Sequence, residues 1–340
     1  MTGDLTRYEK QVLFSGIGKK GQDRISKSTT LIIGCGALGT MLANHLVRAG
    51  VGTVKIVDRD YVELSNLQRQ VLFDETDVRL QLPKAVAAVE KLKRINSDIH
   101  IEPLIFDVNP KNIEGMLAGV DLVLDATDNM ETRYLINDAC IKHDIPWIYG
   151  GVIGATGMTM DVIPGKSACF QCLSETPPAP GAMPTCETEG VISSAPAVIA
   201  SIQATEALKI MVGHHPAGGN LIHIDLWENE FNRFQVNQRP DCPACVNKQF
   251  DFLTGEAATE AFSLCGRNAV QITCSNESQL DWQGLKNRLS NLGTVSDNGF
   301  FLTFQVDSFE LIIFPDARTI IKGTTDEAIA RSLYAKYVGI

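Results

Sequence analysis

Two pairs of cysteines carry the clearest metal-binding pattern in the sequence. They are Cys169-Phe-Gln-Cys172 and Cys242-Pro-Ala-Cys245, with 69 residues between the pairs. Four thiolates are the ligand set that a structural Zn²⁺ takes in tetrahedral geometry. Buried free cysteines, a redox pair and an iron–sulfur cluster are the alternatives that this spacing leaves open. The pattern predicts a zinc site that joins two distant segments of the chain.

Arg69 and Lys84 are the basic residues best suited to phosphate chemistry. Arg69 lies in a polar stretch with irregular spacing, residues 61–70, and Lys84 follows Pro83 at the predicted start of a helix. Transfer of phosphoryl or nucleotidyl groups develops negative charge on phosphate oxygens, which fixed arginine and lysine side chains stabilise. Their spacing alone also allows either residue to be an ordinary solvated surface group.

Asp128 and Cys186 are two further candidates. Asp128 directly follows a predicted buried strand, and its carboxylate could bind Mg²⁺, a hard ion that prefers oxygen ligands. The alternative role for Asp128 is an N-cap of the next helix. Cys186 ends a segment with four prolines, where an exposed thiol could act as a nucleophile or be incidental.

Residues 30–60 contain the element that would position these groups. An apolar run leads to the glycine turn Gly34-Cys-Gly-Ala-Leu-Gly39, a helical pattern follows, and a second apolar run ends at Asp58. In a parallel βαβ unit such glycines permit a tight turn, close approach of a phosphate and close packing of helix on strand. The acid lies where such units present a carboxylate to ribose hydroxyls. The stretch predicts a nucleotide-binding unit; a glycine turn without a ligand is the alternative.

The rest of the first 250 residues continues the alternation of strands and helices. This alternation predicts a doubly wound α/β sheet whose ligands bind at the carboxyl ends of the strands, where Asp58 and Asp128 both fall. Residues 5–27 are predicted to be helical and residues 151–165 to form antiparallel strands. We expect one domain over 1–248 and a small α+β domain over 251–340. The latter should end in a helix with Ile329, Leu333 and Tyr337 on one face.

Composition and charge narrow the classes of protein. The chain has 340 residues, 44% hydrophobic content and a net charge of −10. Such an acidic chain does not favour a nucleic-acid partner, and its apolar runs are shorter than the roughly 18 residues that span a bilayer. Its polar N-terminus lacks the apolar core of a signal peptide. Four of the nine cysteines form two CxxC pairs, a spacing that indicates metal binding rather than disulfide bonds. We therefore expect a cytoplasmic protein with no membrane partner.

Taken together in this order, the motifs resemble those of one protein family. RYEKQ, GCGALG, VDRDYVELSNLQRQ, LPK, DATDN, the two CxxC pairs and TCETEG are spread over roughly residues 5–248. The chain resembles the MoeB/ThiF family of adenylyltransferases, bacterial relatives of ubiquitin-activating enzymes. The resemblance implies a Rossmann-like doubly wound sheet of the ubiquitin-activating-enzyme type. It also implies ATP-dependent adenylation of the C-terminal glycine of a ubiquitin-like sulfur carrier, ThiS-like or MoaD-like, ahead of thiocarboxylate formation for thiamin or molybdenum-cofactor synthesis.

The resemblance also implies roles for individual residues. Asp58 would hold the ribose, Asp128 would serve Mg²⁺ and the reacting centre, and Cys186 matches a cysteine that can link to the activated carrier. The four CxxC cysteines match zinc ligands. The remaining residues that the resemblance places around the nucleotide are Gly34, Gly36, Ala37, Gly39, Asp60, Ser65, Asn66, Arg69, Lys84 and Asn129.

Partners follow from the same resemblance. The family acts as a homodimer in which a basic residue of the N-terminal helix reaches the partner's ATP; here Lys10 stands in place of the usual arginine, and Arg7 is the alternative. A cysteine desulfurase or another sulfur donor is a further expected partner. The alternatives to this reading are activation of a different carrier or peptide for cysteine or antibiotic synthesis, an NAD-dependent oxidoreductase, and a non-catalytic carrier-binding scaffold.

Overall fold

A computed structural model describes residues 6–178, 188–214, 218–255, 262–264, 268–272 and 280–339. The chain divides into two compact units, residues 1–257 and 258–340. The helices of the first unit are α1 (Glu9–Leu13), α2 (Gly18–Ile25), α3 (Ala37–Ala49), α4 (Glu75–Arg79), α5 (Lys84–Ile95), α6 (Ile113–Met116), α7 (Met130–Lys142), α8 (Phe170–Leu173), α9 (Ser194–Met211) and α10 (Asp251–Thr254). Its strands are β1 (Thr29–Ile33), β2 (Thr53–Val57), β3 (His100–Leu104), β4 (Leu122–Asp125), β5 (Trp147–Ile153), β6 (Thr156–Val162), β7 (Asn220–Asp225) and β8 (Glu230–Gln235).

One eight-stranded sheet forms the centre of the first unit, in the order β3-β2-β1-β4-β5-β6-β7-β8. The strands from β3 to β5 are parallel, and β6, β7 and β8 continue the sheet antiparallel. Strand β1, whose side chains from Thr30 to Ile33 are all buried, lies between β2 and β4. The carboxyl ends of β2, β1 and β4 therefore meet at one edge of the sheet, as predicted for a doubly wound fold.

Helices cover both faces of this sheet. On one face α3, α5 and α9 contribute Leu42, Leu46, Leu92 and Ile199 to a buried apolar cluster. On the other face α7 packs with Trp147 and Phe170 in a second cluster that contains the two cysteine pairs. The apolar residues of α3 recur at helical spacing, which is why it packs on one side against β1 and β2. No helix among these described ranges is long and apolar enough to cross a bilayer.

The second unit is an antiparallel sheet with two helices. Its elements are β9 (Phe262–Leu264), β10 (Ala269–Ile272), α11 (Trp282–Ser290), β11 (Thr294–Asp297), β12 (Leu302–Val306), β13 (Phe309–Ile313), β14 (Thr319–Lys322) and α12 (Glu327–Tyr337). The strand order is β11-β12-β13-β14-β10-β9, with every pair antiparallel. A small α+β domain is thus confirmed as the C-terminal architecture.

Two details of the predicted elements were wrong. The N-terminal helix is interrupted after Leu13, because Phe14 has an extended backbone (φ −70°, ψ 120°), and α2 then begins at Gly18 with a φ of +60°. In α12 the buried side chains are Ala330, Tyr334 and Tyr337, whereas Ile329 is exposed. Of the predicted face, Tyr337 is buried and Leu333 packs partly buried against the same apolar cluster, so the prediction was wrong only at Ile329, next to the buried Ala330.

Asp161 makes the stability of the first unit depend on pH. Its side chain is buried on β6 beside Glu206 of α9, whose carboxylate pairs with Lys209 at 2.5 Å. Burial, with the nearby charge of Glu206, raises the pKa of Asp161 to about 8. The folded chain therefore keeps a proton on Asp161 that the unfolded chain loses above about pH 4.

The free energy of unfolding is accordingly expected to fall as the pH rises from 4 to 8, by up to about 1.4 kcal/mol per pH unit. Asp161→Asn mimics the protonated form and should flatten this dependence. Urea unfolding of both proteins at pH 5, 6, 7 and 8 measures the two slopes. Parallel slopes would contradict the assignment.

Candidate functional site

The glycine turn between β1 and α3 is shaped by two glycines and opened by a third. Gly34 has a φ of +98°, and a Cβ there would lie 2.5 Å from the Ala126 carbonyl oxygen. A Cβ at Gly39 would lie 2.0 Å from the carbonyl oxygen of Gly34. At Gly36, by contrast, the nearest atom to a Cβ would be Gln70 Nε2 at 3.8 Å. Packing of the chain therefore requires Gly34 and Gly39, whereas Gly36 leaves open space in front of the α3 N-terminus, which begins at Ala37.

Gln70 borders this space through its Nε2, a hydrogen-bond donor. The residue is 4% exposed, and its Oε1 is buried with no hydrogen-bond partner in the part of the chain that the structure describes. A buried polar atom without a partner is uncommon and calls for an explanation. A phosphate chain lying over Gly36 would bring oxygens that accept hydrogen bonds from Gln70 Nε2 and from the N–H groups of the α3 N-terminus, whereas the buried Oε1 needs a donor instead. The residues around the turn thus fit a bound nucleotide.

Asp58 connects the glycine turn to the end of β2. Its Oδ2 accepts a hydrogen bond from the Cys35 N–H at 2.6 Å, and its Oδ1 accepts one from the Asp60 N–H at 2.7 Å. Burial raises the pKa of this carboxyl group, although the nearby charge of Lys84 acts in the opposite direction. Because each carboxylate oxygen accepts more than one hydrogen bond, Asp58 can hold the turn and still accept from ribose hydroxyls.

Lys84 is held at the same edge by Asp60. The lysine is the first residue of α5 and only 4% exposed, and its Nζ lies 3.1 Å from Asp60 Oδ2. The backbone N–H of Lys84 also donates to the Asp60 carbonyl oxygen at 2.8 Å. An ammonium has three donors, so the ion pair fixes its position and leaves capacity for phosphate oxygens.

Residues 63–69 form a fixed loop that carries Ser65, Asn66 and Arg69. Asn66 is buried, and its Oδ1 accepts a hydrogen bond from the Glu63 N–H at 3.0 Å. The Arg69 Nη1 donates to the Ser65 carbonyl oxygen at 2.9 Å, which holds the half-buried guanidinium against its own loop. The structure therefore places Arg69 as an ordered side chain with further N–H groups to offer.

Asp128 follows β4 and is exposed, while its neighbour caps the helix. Asn129 is the N-cap of α7 and accepts hydrogen bonds from the Glu131 and Thr132 N–H groups at 2.8 and 3.4 Å. The capping role that the sequence left open for Asp128 thus belongs to Asn129. The Asp128 carboxylate is left at the carboxyl edge of the sheet, where a Mg²⁺ accompanying a nucleotide would find an oxygen ligand.

Two charged pairs at this edge were missed by the sequence analysis. Asp125, fully buried at the end of β4, accepts from Arg133 Nε at 3.2 Å, and Arg133 Nη2 donates to the Thr127 carbonyl oxygen at 2.8 Å. Burial raises the pKa of Asp125, and the charge of Arg133 opposes that shift. This pair braces the turn that carries Asp128. The signal in the sequence was an aspartate at the end of an apolar strand followed eight residues later by an arginine.

Arg59 and Asp107 form the second of these charged pairs. Arg59 Nη1 contacts Asp107 Oδ1 at 3.0 Å. Burial alone would lower the pKa of Arg59, but the negative charges of Asp107, Asp60 and Asp128 outweigh it and raise the pKa. The guanidinium therefore lies among the carboxylates at the ligand edge. Its position between the two acids of the VDRD sequence was the available clue.

The four cysteines of the CxxC pairs lie together. Their sulfur atoms are all within 4.8 Å of one another, and the distances include 3.9 Å for Cys169–Cys172, 3.5 Å for Cys169–Cys242 and 3.5 Å for Cys172–Cys245. Zn–S bonds of about 2.3 Å in a tetrahedron give sulfur separations of about 3.8 Å, whereas a disulfide needs about 2.05 Å. The set fits a tetrahedral Zn²⁺.

Neighbouring groups donate hydrogen bonds to the cysteine sulfurs and favour a thiolate at Cys172. The Arg239 N–H and Gln238 Nε2 donate to the sulfurs of Cys172 and Cys245, each at 3.4 Å. Hydrogen bonds from the Cys169 and Cys245 thiols lower the pKa of Cys172. Hydrogen bonds to ligand sulfurs of this kind are typical of the outer shell of a metal site.

One predicted site residue lies away from the others, and another falls outside the described residues. Lys10 is exposed on α1. Helix α1 packs against the C-terminal ends of α3 and α5, remote from the glycine turn. There Gln11 Nε2 donates to the Ala49 carbonyl oxygen at 2.9 Å, and the Tyr8 hydroxyl accepts from Asn96 Nδ2 at 2.8 Å. A helix of 13 residues is about 20 Å long, so Lys10 lies far from the turn of its own chain. Cys186 lies outside the described residues.

Comparisons with known proteins agree with this architecture. The ThiF family model matches residues 8–244. The sulfur carrier protein ThiS adenylyltransferase of Bacillus subtilis (strain 168) is 43% identical over 342 residues, which cover all of both chains. The SAMP-activating enzyme E1 of Haloferax volcanii is 37% identical over 242 residues, covering 71% of this chain and 88% of the relative. A crystal structure of E. coli MccB with ATP shares the fold, with a TM-score of 0.62 at 21% identity over 71% of this chain and 75% of that one.

Proposed function

The chain belongs to the ThiF family, and we propose that it uses ATP to adenylate the C-terminal glycine of a ubiquitin-like sulfur carrier of the ThiS or MoaD type. The observation that carries the proposal is the open glycine turn at Gly36, with carboxylates and cations around it at one edge of the sheet. The whole-length similarity to a ThiS adenylyltransferase supplies the class of acceptor. Thiocarboxylate formation for thiamin or molybdenum-cofactor synthesis is the step that would follow.

The reaction needs little acid–base chemistry from the protein. An oxygen of the carrier carboxylate attacks the α-phosphorus of ATP, the bond from that phosphorus to the bridging oxygen breaks, and pyrophosphate leaves as an acyl-adenylate forms. The carboxylate is already ionised at neutral pH, so no protein base has to remove a proton. The chain has to bring two anions together and offset the charge that develops on phosphorus.

Each described residue of the site has a role in this scheme. Asp58 binds the ribose, and the α3 N-terminus binds phosphate oxygens over Gly36. Arg69 and Lys84 stabilise the charge on the transferred phosphorus, with Ser65, Asn66 and Asp60 holding them in place. Asp128 would hold a Mg²⁺ that accompanies ATP, and the four cysteines would hold a structural Zn²⁺.

Carrier-dependent exchange of pyrophosphate into ATP tests the function directly. We expect exchange with a ThiS-type or a MoaD-type carrier, and a loss of about 10²-fold or more in Arg69→Ala, because a fixed cation at the developing charge is removed. Exposed Arg79 on α4 provides a matched Arg→Ala control that should keep wild-type exchange. Absence of exchange with both carriers and with a peptide substrate would favour the scaffold alternative.

Lys10 is proposed to act on the nucleotide of a partner subunit in a homodimer, because α1 lies at the far end of its own α3 and α5. Arg7, the alternative residue, makes contacts within its own chain: its Nη1 donates to the Ile95 carbonyl oxygen at 2.9 Å, and its Nε lies 3.4 Å from Asp98 Oδ2. Lys10→Ala should therefore lower exchange by about 10- to 100-fold, the worth of a charged hydrogen bond.

Mixed dimers distinguish action across the interface from action within one chain. Inactive Lys10→Ala and Asp128→Asn chains, refolded together in equal amounts, should recover about a quarter of wild-type exchange. Half of the dimers are then mixed, and each mixed dimer contains one intact site of two. No recovery above the two separate variants would show that Lys10 serves its own chain or no site.

A further inference from the structure

Helix α7 connects the Asp128 turn to the cysteine centre. Its first turn is capped by Asn129, the neighbour of Asp128, and Arg133 braces the preceding loop through Asp125 and the Gly150 carbonyl oxygen, the latter at 3.3 Å. Residue 137 lies about 12 Å from residue 129 along the helix axis, because each residue of an α-helix rises by about 1.5 Å. One rigid element therefore carries contacts to the nucleotide edge at its start and to a different part of the unit at its middle.

Asn137 and Asp138 hold the two residues that lie between Cys169 and Cys172. Asn137 Oδ1 accepts a hydrogen bond from the Phe170 N–H at 2.9 Å, and Asp138 Oδ1 accepts one from Gln171 Nε2 at 2.9 Å. Asn137 and Asp138 are both fully buried. Side chains of α7 thus hold the chain between these two cysteines in place. We call the segment Cys169–Cys172 the knuckle.

The same helix face anchors the chain just after Cys172, at Ser174, and again after Cys245, at Phe252. Asp138 Oδ2 accepts a hydrogen bond from the Phe252 N–H at 3.1 Å, and the Tyr134 ring stacks on Phe252 with centroids 4.7 Å apart. The Tyr134 hydroxyl lies 2.8 Å from Ser174 Oγ, just after Cys172. Tyr134 and Asp138 are four residues apart, so they project from one side of the helix.

We propose that Asn137 and Asp138 are positioning residues for the Cys169–Cys172 knuckle, and that α7 couples metal occupancy there to the placement of the Asp128 turn. This inference rests on the proposed zinc and nucleotide sites. A Zn²⁺ fixes the knuckle, the knuckle fixes the middle of α7 through two buried hydrogen bonds, and the helix holds Asn129 and Arg133 beside Asp128. The cysteines thus influence nucleotide binding without contacting the nucleotide.

The rate of zinc release tests the first part. Gln171→Met keeps the length of the side chain and removes the donor to Asp138, and Asp138→Asn removes one of two acceptors at nearly constant shape. Under excess 4-(2-pyridylazo)resorcinol, both are expected to release zinc about tenfold faster than the wild type or more. Lys142→Gln, at the exposed end of the same helix, should release zinc at the wild-type rate.

A second control separates positioning from general loss of stability. Leu42→Ala creates a cavity in the apolar cluster on the opposite face of the sheet. If Leu42→Ala speeds release as much as Gln171→Met does, or if Gln171→Met and Asp138→Asn release zinc at the wild-type rate, the positioning role is overturned.

The affinity for Mg·ATP, measured by calorimetry without a carrier, tests the coupling. We expect the dissociation constant to rise about fivefold or more in metal-depleted protein that stays folded by circular dichroism, and also in zinc-loaded Gln171→Met, relative to Lys142→Gln. Equal affinity in these three proteins would overturn the coupling. Neither readout requires carrier adenylation. If the proposed carrier is not a substrate, zinc release and ATP binding can still be measured. If the wild type does not bind ATP at all, the proposed nucleotide site itself is overturned.

Discussion

Replacing Asp128 with asparagine is expected to lower carrier-dependent pyrophosphate exchange by roughly 10²–10³-fold with little change in the melting temperature. The side chain is exposed and does not cap α7, so the fold does not depend on its charge. The neutral amide is a poor ligand for a hard cation, and the charge balance of the reacting centre is lost. Initial exchange rates over a range of Mg²⁺ concentrations, together with a thermal melt, measure both quantities.

Asn129→Ala is the matched control for that variant. It removes the side chain that caps α7 and should cost about 1 kcal/mol of stability, whereas the Asp128 carboxylate remains in place. The expected pattern is thus a larger loss of activity at 128, where the carboxylate is removed, and a larger loss of stability at 129, where the cap is removed. A large drop in melting temperature in Asp128→Asn would mean that the carboxylate is structural, contrary to the proposed role.

Cys242→Ala is expected to abolish stoichiometric zinc and to lower the melting temperature by about 10 °C or more. The four sulfurs join segments 69 residues apart, and three thiolates leave the Zn²⁺ with an open position. Structural zinc contributes about 10–16 kcal/mol to the folding of small domains, and losing even ~4 kcal/mol in a unit of this size shifts the midpoint by roughly 8–16 °C.

Metal analysis and calorimetry of the purified variant check this expectation. Cys140→Ala is the control, because Cys140 is a buried thiol in the same apolar cluster and lies outside the quartet. Its removal should leave one zinc per chain. If Cys242→Ala retains a full equivalent of zinc, the quartet is not the metal site.

The order of elements and the glycine turn could be predicted from the sequence because both depend on local patterns. Short apolar stretches predicted β1, β2 and β4, and the spacing of the glycines predicted the turn before α3. The acids at the strand ends followed from topology, since parallel strands end at one edge. The grouping of the two CxxC pairs in one cluster could be predicted from their spacing alone.

The remaining contacts of the site depend on partners that are distant in sequence. Asp138 meets Phe252 across 114 residues, and Asn137 meets Phe170 across 33, which no local pattern encodes. The choice between Asp128 and Asn129 as the N-cap depends on a single residue of register, because both types cap helices well. On α12 the prediction failed at Ile329 for a similar reason, since Ile329 and the buried Ala330 differ by only 100° around the helix, whereas Leu333 and Tyr337 were predicted correctly.

The two backbone hydrogen bonds accepted by Asp58 limit how this nucleotide site can be redesigned. Any substitution meant to change the preferred sugar would also detach the glycine turn from the end of β2, because the same carboxylate serves both. A library aimed at altered nucleotide preference should therefore leave position 58 constant and vary neighbours such as Arg59, whose side chain contacts Asp107 and lies among the site carboxylates. The dual use of one carboxylate would thus make the proposed ribose contact harder to change than a position that serves the ligand alone.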